Sequence, residues 1–300
     1  MNNAIFIAFD DHHYFYFRHL YNSLQESYPG HPKLLVHYNG WDPNKVSWLR
    51  SMPGIDLTIV KDLPLNINVN LHHKSVPSKM VYYKYLLWTD KFDEYDNILH
   101  LDVDTIILSP LDDIIECPEF FIVKNNISFK EIQVLSKDKI YRDTIEDALK
   151  SYNIRCPDQD DMVNAGVFVI PKRYRKKEYL DSLINITNDF NTLLVYADQS
   201  ALSIWCLKNH INPNSDYRYN FQMPLFNKFF QPRYKKWLDI GNYLSLKKDI
   251  LDKIKIVHYS GPIKPDNFKF MRWALMGRYA GLFSRLYDKY WGLKQLTEIV

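Results

Sequence analysis

Two aspartates, one residue apart, interrupt an otherwise apolar run near the middle of the chain. The segment is HLDVDTIIL, residues 100–108, and it places Asp102 and Asp104 where a strand normally carries Val, Ile or Phe. Side chains two positions apart on a strand share a face, so the two carboxylates are predicted to lie roughly 6–7 Å apart. Carboxylates at that distance repel each other unless positive charge compensates them, and Mg²⁺ or Mn²⁺ suits oxygen ligands. The motif therefore predicts a metal site; the alternative is a surface turn capped by Asp104.

The elements around this motif predict an α/β fold. Segments typical of strands occur at 4–9, 32–39, 55–60, 97–104, 120–124, 165–171 and 253–260. Helical patterns occur at 16–28, 42–52, 76–92 and 196–209. This alternation favours a mostly parallel sheet with helices on both faces. The strand 97–104 is apolar on both sides and is therefore expected at the centre of the sheet, with its aspartates at the carboxyl end, where ligands bind in such folds.

Length and composition favour one catalytic domain. The chain has 300 residues, 46% hydrophobic and 24% charged, as in ordinary globular proteins. Its three cysteines form neither a disulfide framework nor a zinc pattern, which favours a reducing, cytoplasmic location. No window is apolar for long enough to span a bilayer. The polar region 126–160 has no periodicity and is predicted to be a mobile excursion.

The C-terminal residues differ from the rest of the chain. From residue 264 onward there are seven basic and three acidic residues, whereas the net charge of the whole chain is only +3. Residues 268–300 also contain eight aromatic side chains, and apolar residues recur there at helical spacing. This composition suits a helix bound peripherally to an anionic membrane, and equally a helix packed on the catalytic domain. Nucleic-acid binding is not expected, because the basic residues are confined to this extension.

Six segments, in order along the chain, resemble glycosyltransferase family 8. They are IAFDDHHY (7–14), KMVYYKYLL (79–87), HLDVDTIIL (100–108), VNAGVFVI (163–170), ADQSAL (197–202) and IVHYSGPIKPD (256–266). The last differs from the family signature in having Asp266 where tryptophan is usual. The resemblance covers residues 4–267 and implies a GT-A fold over residues 1–267, followed by the extension 268–300.

The resemblance also implies roles for individual residues. The metal ligands for Mn²⁺ or Mg²⁺ are expected to be Asp102, Asp104 and His258. The residues expected at the UDP-sugar donor are Asp10, Asp11, Tyr14, Lys84, Val103, Asn164, Ala165, Gly261 and Lys264; the Asp10–Asp11 doublet leaves open which of the two serves. The pair Asp198 and Gln199 is expected at the reacting sugar. The implied reaction is transfer of a hexose, galactose or glucose, to a glycan, glycolipid or protein acceptor with retention at the anomeric carbon.

Two other functions fit parts of the sequence. A phosphatase of the haloacid-dehalogenase type also carries Asp-x-Asp after an apolar strand, but it requires Thr two residues beyond the second Asp. Here Thr105 follows that Asp immediately and Ile106 holds the required position, which argues against this class. A non-catalytic protein that binds sugar nucleotides needs the same metal-binding and phosphate-binding groups, and it stays open as an alternative.

Overall fold

The computed structural model describes residues 1–67, 79–125, 149–154, 162–190, 197–222 and 253–260. Gly261, Lys264, the extension 268–300 and most of the region 126–160 lie outside these ranges, so the predictions made for them stay predictions. The chain forms two compact units. The first comprises Met1–His12, Pro32–Asp102 and Asp112–Ser215, and the second comprises His13–His31, Val103–Leu111 and the residues from Asp216 on.

The first unit is built on a six-stranded sheet in the order β3-β2-β1-β4-β7-β6. Its strands are β1 (Asn3–Asp10), β2 (Lys33–Asn39), β3 (Ile55–Ile59), β4 (Asn97–Leu101), β6 (Phe121–Lys124) and β7 (Val163–Pro171). All are parallel except β7, which runs antiparallel to both of its neighbours. The mostly parallel sheet predicted from the sequence is confirmed, with β4 between β1 and β7.

Helices of the first unit cover an aromatic core. They are α2 (Pro43–Ser51), a 3₁₀ helix (Lys79–Trp88), α3 (Asp112–Ile115), α4 (Lys177–Asp189) and α5 (Ala197–Lys208). Helix α4 packs on α5, and α5 packs on β7. At the centre of the core, Trp88 contacts Trp205 and Phe168, with ring centroids 5.3 and 5.7 Å apart. Much of the high aromatic content of the chain is therefore used in packing.

The helix predicted over 76–92 is a 3₁₀ helix over Lys79–Trp88, followed by a single 3₁₀ turn at Asp90–Phe92. A helix is therefore present within the predicted range, and its conformation is 3₁₀. Every side chain from Tyr82 to Trp88 is buried. Aromatic residues have modest α-helical propensity, so packing on all sides decides the backbone conformation here.

The second unit contains a smaller sheet with the order β5-β9-β8. Strand β5 (Thr105–Ile107) is antiparallel to β9 (Ile256–His258), and β8 (Phe221–Gln222) is parallel to β9. Helix α1 (Tyr14–Ser27) packs on β5. No helix in the part of the chain that the structure describes is long and apolar enough to cross a membrane.

The predicted strand 97–104 is split at the aspartates. Strand β4 ends at Leu101, residues 102–104 form a turn, and β5 begins at Thr105 in the other sheet. The premise that Asp102 and Asp104 share one face of a strand was therefore wrong. Aspartate is a poor strand former, and a turn lets each carboxylate reach partners outside the sheet. The backbone N–H of Asp102 still donates to the carbonyl of Gly166, at 2.7 Å, so the turn is anchored to the first half of β7.

Candidate active site

A buried lysine joins two of the predicted carboxylates. Lys84 lies on the 3₁₀ helix and is 3% exposed. Its Nζ is 3.0 Å from Asp102 Oδ1, 2.9 Å from Asp198 Oδ2 and 3.0 Å from the carbonyl oxygen of Ala165. The three contacts match the three N–H donors of an ammonium group. Lys84 therefore fixes the end of β4 and the first turn of α5 through one side chain.

The charges of this cluster do not balance. Burial alone would lower the pKa of Lys84, but the charges of Asp102 and Asp198 outweigh it and hold the pKa above its ordinary value. Burial raises the pKa of Asp198, and the charge of Lys84 only partly opposes that rise. Two carboxylates thus share one cation. The remaining negative charge favours the binding of a further cation.

His100 contacts the same carboxylate from within the sheet. Its Nε2 is 3.0 Å from Asp102 Oδ1. Burial, with a smaller contribution from the charge of Lys84, lowers the pKa of His100 to about 4, so the ring is neutral near pH 7. A carboxylate can only accept, so Nε2 carries the proton and donates it to Asp102. This residue was not among the predicted site residues, although it stands two positions before Asp102, because the sequence does not show that its ring contacts that carboxylate.

The predicted amide pair is also brought together. Asn164 Nδ2 donates to Gln199 Oε1 at 3.2 Å, and Asn164 Oδ1 accepts from the backbone N–H of Gly166 at 3.0 Å. Gln199 follows Asp198 in the first turn of α5. The Asn-Ala-Gly segment and the Asp-Gln segment, whose first residues are 34 positions apart in the sequence, therefore meet beside Lys84.

A second group of side chains surrounds Asp104. His258 Nε2 is 3.3 Å from Asp104 Oδ1, and the backbone N–H of Tyr259 donates to the carbonyl oxygen of Asp104. On the other side of the ring, His258 Nδ1 lies 3.0 Å from Asn220 Oδ1. Since that oxygen accepts, Nδ1 donates to it, and Nε2 is the ring nitrogen that faces Asp104. Asn220, which is fully buried and was missed from the sequence, fixes the ring in this orientation.

Asp102, Asp104 and His258 could hold a metal ion. Each offers one ligand atom, and these atoms lie within 4.8 Å of one another. Asp102 and Asp104 are separated only by Val103, a buried residue, so the chain itself keeps their carboxylates near each other. A lone pair on an imidazole that faces a carboxylate is unfavourable unless a cation or proton lies between them. Two carboxylates and one imidazole suit Mn²⁺ or Mg²⁺.

The two aspartates in the acidic turn at the end of β1, Asp10 and Asp11, accept hydrogen bonds from different donors. Asp11 accepts hydrogen bonds from the hydroxyl of Tyr38 and from Lys45 Nζ, and the Lys45 contact is 2.7 Å. Partial burial acts to raise the pKa of Asp11, but these two donors lower it overall. Asp10 Oδ1 instead accepts from the backbone N–H of His12 at 3.1 Å.

Gly40 is required beside this turn. A Cβ atom at that position would lie 2.3 Å from the Tyr38 ring and 2.8 Å from Asp11 Oδ2. Tyr14, the other residue predicted here, is the first residue of α1 and is partly exposed. The contacts of Asp11 with Tyr38 and Lys45 were not predicted, because these residues lie on β2 and α2, 27 and 34 positions further along the chain.

Comparisons with known proteins identify a family and a set of similar folds. The sequence model of the family Glycosyl transferase family 8 matches residues 4–267. A search of curated proteins found no significant match.

Among solved structures, the galactosyltransferase LgtC, crystallised with donor and acceptor sugar analogues, is similar at TM-score 0.60 and 18% identity, covering 96% of both chains. GlyE, a glycosyltransferase of Streptococcus pneumoniae TIGR4, is similar at TM-score 0.54 and 18% identity, covering 98% of this chain and 64% of its own. The bifunctional glycosyltransferase WbbM is similar at TM-score 0.56 and 18% identity, covering 87% of this chain and 46% of its own. The α/β architecture is the GT-A fold of LgtC.

Proposed function

Because the chain belongs to glycosyl transferase family 8, we propose that it transfers a hexose, galactose or glucose, from a UDP-sugar to a hydroxyl group of a glycan, glycolipid or protein acceptor. Retention of the anomeric configuration is part of the proposal and comes from the family alone. The supporting observation is the cluster of Asp102, Asp104 and His258, whose donor atoms suit a divalent ion and whose surroundings carry excess negative charge.

The metal ligands have a defined task in this reaction. In hexosyl transfer from a nucleoside diphosphate sugar, negative charge accumulates on the departing diphosphate as the anomeric bond breaks. Mn²⁺ or Mg²⁺ held by Asp102, Asp104 and His258 would supply charge stabilisation at that diphosphate. Asn220 keeps the His258 lone pair directed towards such an ion. Lys264 and Gly261, which lie outside the described residues, are proposed to bind the same diphosphate.

The sugar is assigned to the other half of the cluster. Asp198 and Gln199 combine a carboxylate with an amide at the start of α5, and Asn164 donates to Gln199 at 3.2 Å. These groups suit hydrogen bonds to sugar hydroxyls, and we assign to Asp198 the support of positive charge that develops at the anomeric carbon. Lys84 Nζ lies 2.9 Å from Asp198, and its charge opposes the rise that burial causes in the pKa of this carboxyl group.

The nucleoside is assigned to the turn after β1. Asp10, Asp11 and Tyr14 offer carboxylate acceptors and an aromatic ring, which suit ribose hydroxyls, a base N–H and the face of uracil. Asp11 is held by Tyr38 and Lys45, so it is preorganised and its pKa is lowered. We therefore assign Asp11 an orienting role within this turn and Asp10 the contact with the nucleoside.

The main alternative is a protein that binds sugar nucleotides without catalysis. The preserved Asp198–Gln199 pair and its contacts with Lys84 and Asn164 favour the enzyme, because binding of a nucleotide and metal does not require them. Release of UDP that increases when an acceptor is added distinguishes transfer from binding.

The proposal is tested by replacing one metal ligand. Asp104→Asn is expected to lower kcat/KM for Mn²⁺-dependent UDP-sugar turnover by about 100-fold or more, since changes to outer-shell partners alone typically cost roughly 10- to 100-fold. Release of UDP from a panel of UDP-hexoses, with and without Mn²⁺, provides the measurement. The control is Asp181→Asn, which removes an exposed carboxylate paired with Lys177 on α4. Turnover by Asp104→Asn within threefold of the unmodified protein at saturating Mn²⁺ would exclude the metal role.

A further inference from the structure

A histidine occupies the apolar centre of the six-stranded sheet directly behind Asp102. His100 is 2% exposed and lies on β4, where it pairs in register with Phe6 of β1 and Phe168 of β7. Its ring centroid is 4.8 Å from that of Phe168 and 6.1 Å from that of Phe6. A buried imidazole is unfavourable in such surroundings unless its polar atoms are engaged. The position would otherwise suit an apolar side chain.

The polar contact of His100 is with Asp102. Nε2 donates to Asp102 Oδ1 at 3.0 Å, and Lys84 Nζ approaches the same oxygen, also at 3.0 Å. The two donors come from different elements, β4 and the 3₁₀ helix. Together they hold one oxygen of the carboxylate from two directions at the point where the strand ends and the turn begins.

A second buried histidine shows that burial alone does not explain this arrangement. His37 lies on β2, is also 2% exposed, and packs against the same Phe6 ring at 4.9 Å. Its neighbours in the core include Tyr83 and Phe92. None of these three aromatic neighbours is a predicted site residue. The contact with a site carboxylate distinguishes His100 from His37.

We propose that His100 is a positioning residue, which together with Lys84 fixes the orientation of the Asp102 carboxylate so that it meets a divalent ion already in its binding geometry. The inference rests on the proposed function in that Asp102 is taken as a metal ligand. Binding of an ion then requires little reordering of this side chain, and the affinity for the ion depends on the hydrogen bond from His100.

The test compares replacements that keep or remove the donor. His100→Phe keeps an aromatic ring between Phe6 and Phe168 but has no donor. His100→Gln keeps one, because the amide nitrogen of glutamine is as many bonds from the backbone as histidine Nε2. The full chain is titrated with Mn²⁺ in the presence of UDP, and the Kd for Mn²⁺ is measured by calorimetry at a temperature where each variant is folded. His37→Phe is the matched control.

The role predicts a specific order of affinities. His100→Phe is expected to raise the Kd for Mn²⁺ about 10- to 100-fold, as is typical for loss of an outer-shell partner. His100→Gln is expected to stay within about threefold of the unmodified protein, and His37→Phe within about twofold, by the same reasoning on outer-shell contacts. If the role of His100 were only structural, His100→Phe and His37→Phe would both have lower melting temperatures, but their Kd values for Mn²⁺ would be similar.

Two results would overturn the inference: a folded His100→Phe protein with unchanged Mn²⁺ affinity, or a His100→Gln protein as impaired as His100→Phe. If His100→Phe does not fold, the smaller His100→Leu gives the same comparison. Failure of the unmodified protein to bind Mn²⁺ contradicts the proposed function itself and removes the basis for this role as well. A Mn²⁺ affinity that depends on a hydrogen-bond donor at position 100 supports both the proposed function and the positioning role of His100.

Discussion

At the scale of single residues, one buried cation organises the candidate site. Lys84 was predicted from a resemblance to face the donor, and the structure shows it 3% exposed and in contact with Asp102, Asp198 and the carbonyl of Ala165. Removing one member of a buried ion network is far more costly than removing a surface pair, because the remaining charges lose compensation in a poorly solvated environment. Lys84 therefore has a structural task in addition to any contact with a ligand.

Lys84→Met is predicted to lower the free energy of unfolding by about 3–5 kcal/mol, because it leaves two carboxylates without their shared cation. Urea denaturation at pH 7 measures the change. The double variant Lys84→Met/Asp198→Asn removes one of the two negative charges and is expected to recover more than half of the loss. A loss below about 1 kcal/mol for the single variant, the size typical of a surface pair, would show that the network is not stabilising.

Some site residues were recognisable from the sequence and others were not. Asp102, Asp104 and His258 stand in short local patterns, and their ligand atoms lie within 4.8 Å of one another. His100 stands in the same motif as Asp102 but was not recognised as a site residue, and Asn220 stands in no such pattern. Each acts through a hydrogen bond to a predicted residue, and the partner of Asn220 is 38 positions away along the chain. The Asp10–Asp11 doublet was ambiguous in the sequence for the same reason, since the donors to Asp11 come from Tyr38 and Lys45.

At the scale of elements, a serine on α1 supports the strand that follows Asp104. The hydroxyl of Ser23 donates to the carbonyl of Leu20 at 2.8 Å and accepts from the backbone N–H of Ile107 in β5 at 3.0 Å. Both Ser23 and Ile107 are fully buried. Without the hydroxyl, the Ile107 N–H would lose this acceptor in a place that water does not reach.

Ser23→Ala is therefore predicted to lower the free energy of unfolding by about 1–3 kcal/mol, the usual cost of an unsatisfied buried donor. Ser51→Ala is the matched control, because Ser51 also donates to a carbonyl three residues back, that of Trp48, but lies exposed at the end of α2. It is expected to change the free energy by less than about 0.5 kcal/mol, as surface substitutions usually do. Equal effects in denaturant titrations of the two variants would contradict this role for Ser23.

The elements that were predicted correctly are those with a strong local pattern. Strands β1, β2, β3, β6 and β7 are runs of apolar and β-branched residues, and their observed bounds lie within about two residues of the predicted ones, the usual error at element ends. The smaller sheet was not predicted as a sheet. Its strands are two or three residues long, and β5 precedes both β8 and β9 by more than 100 residues, so only their mutual pairing defines them. A helix was predicted around Lys79–Trp88, but its 3₁₀ conformation was not, because that conformation follows from burial on all sides.

At the scale of the whole molecule, the alternation of strands and helices was sufficient to predict a mostly parallel sheet. The division into two compact units was not visible, because the second unit combines three separated stretches of the chain. The solved neighbours share the fold at only 17–18% identity, so the fold persists while most side chains differ. A shared fold at this identity does not define the donor or the acceptor, and the UDP-sugar panel tests the proposed donor directly.

The central claim is that a divalent ion bound by Asp102, Asp104 and His258 holds the diphosphate of a UDP-sugar. The most direct measurement is anomalous diffraction at the manganese edge from crystals soaked in MnCl₂ and UDP. We predict one strong peak within coordination distance of all three side chains, with diphosphate oxygens completing its ligand set. Crystals in which UDP is bound but no manganese lies at these residues, at a Mn²⁺ concentration that supports turnover, would contradict the account.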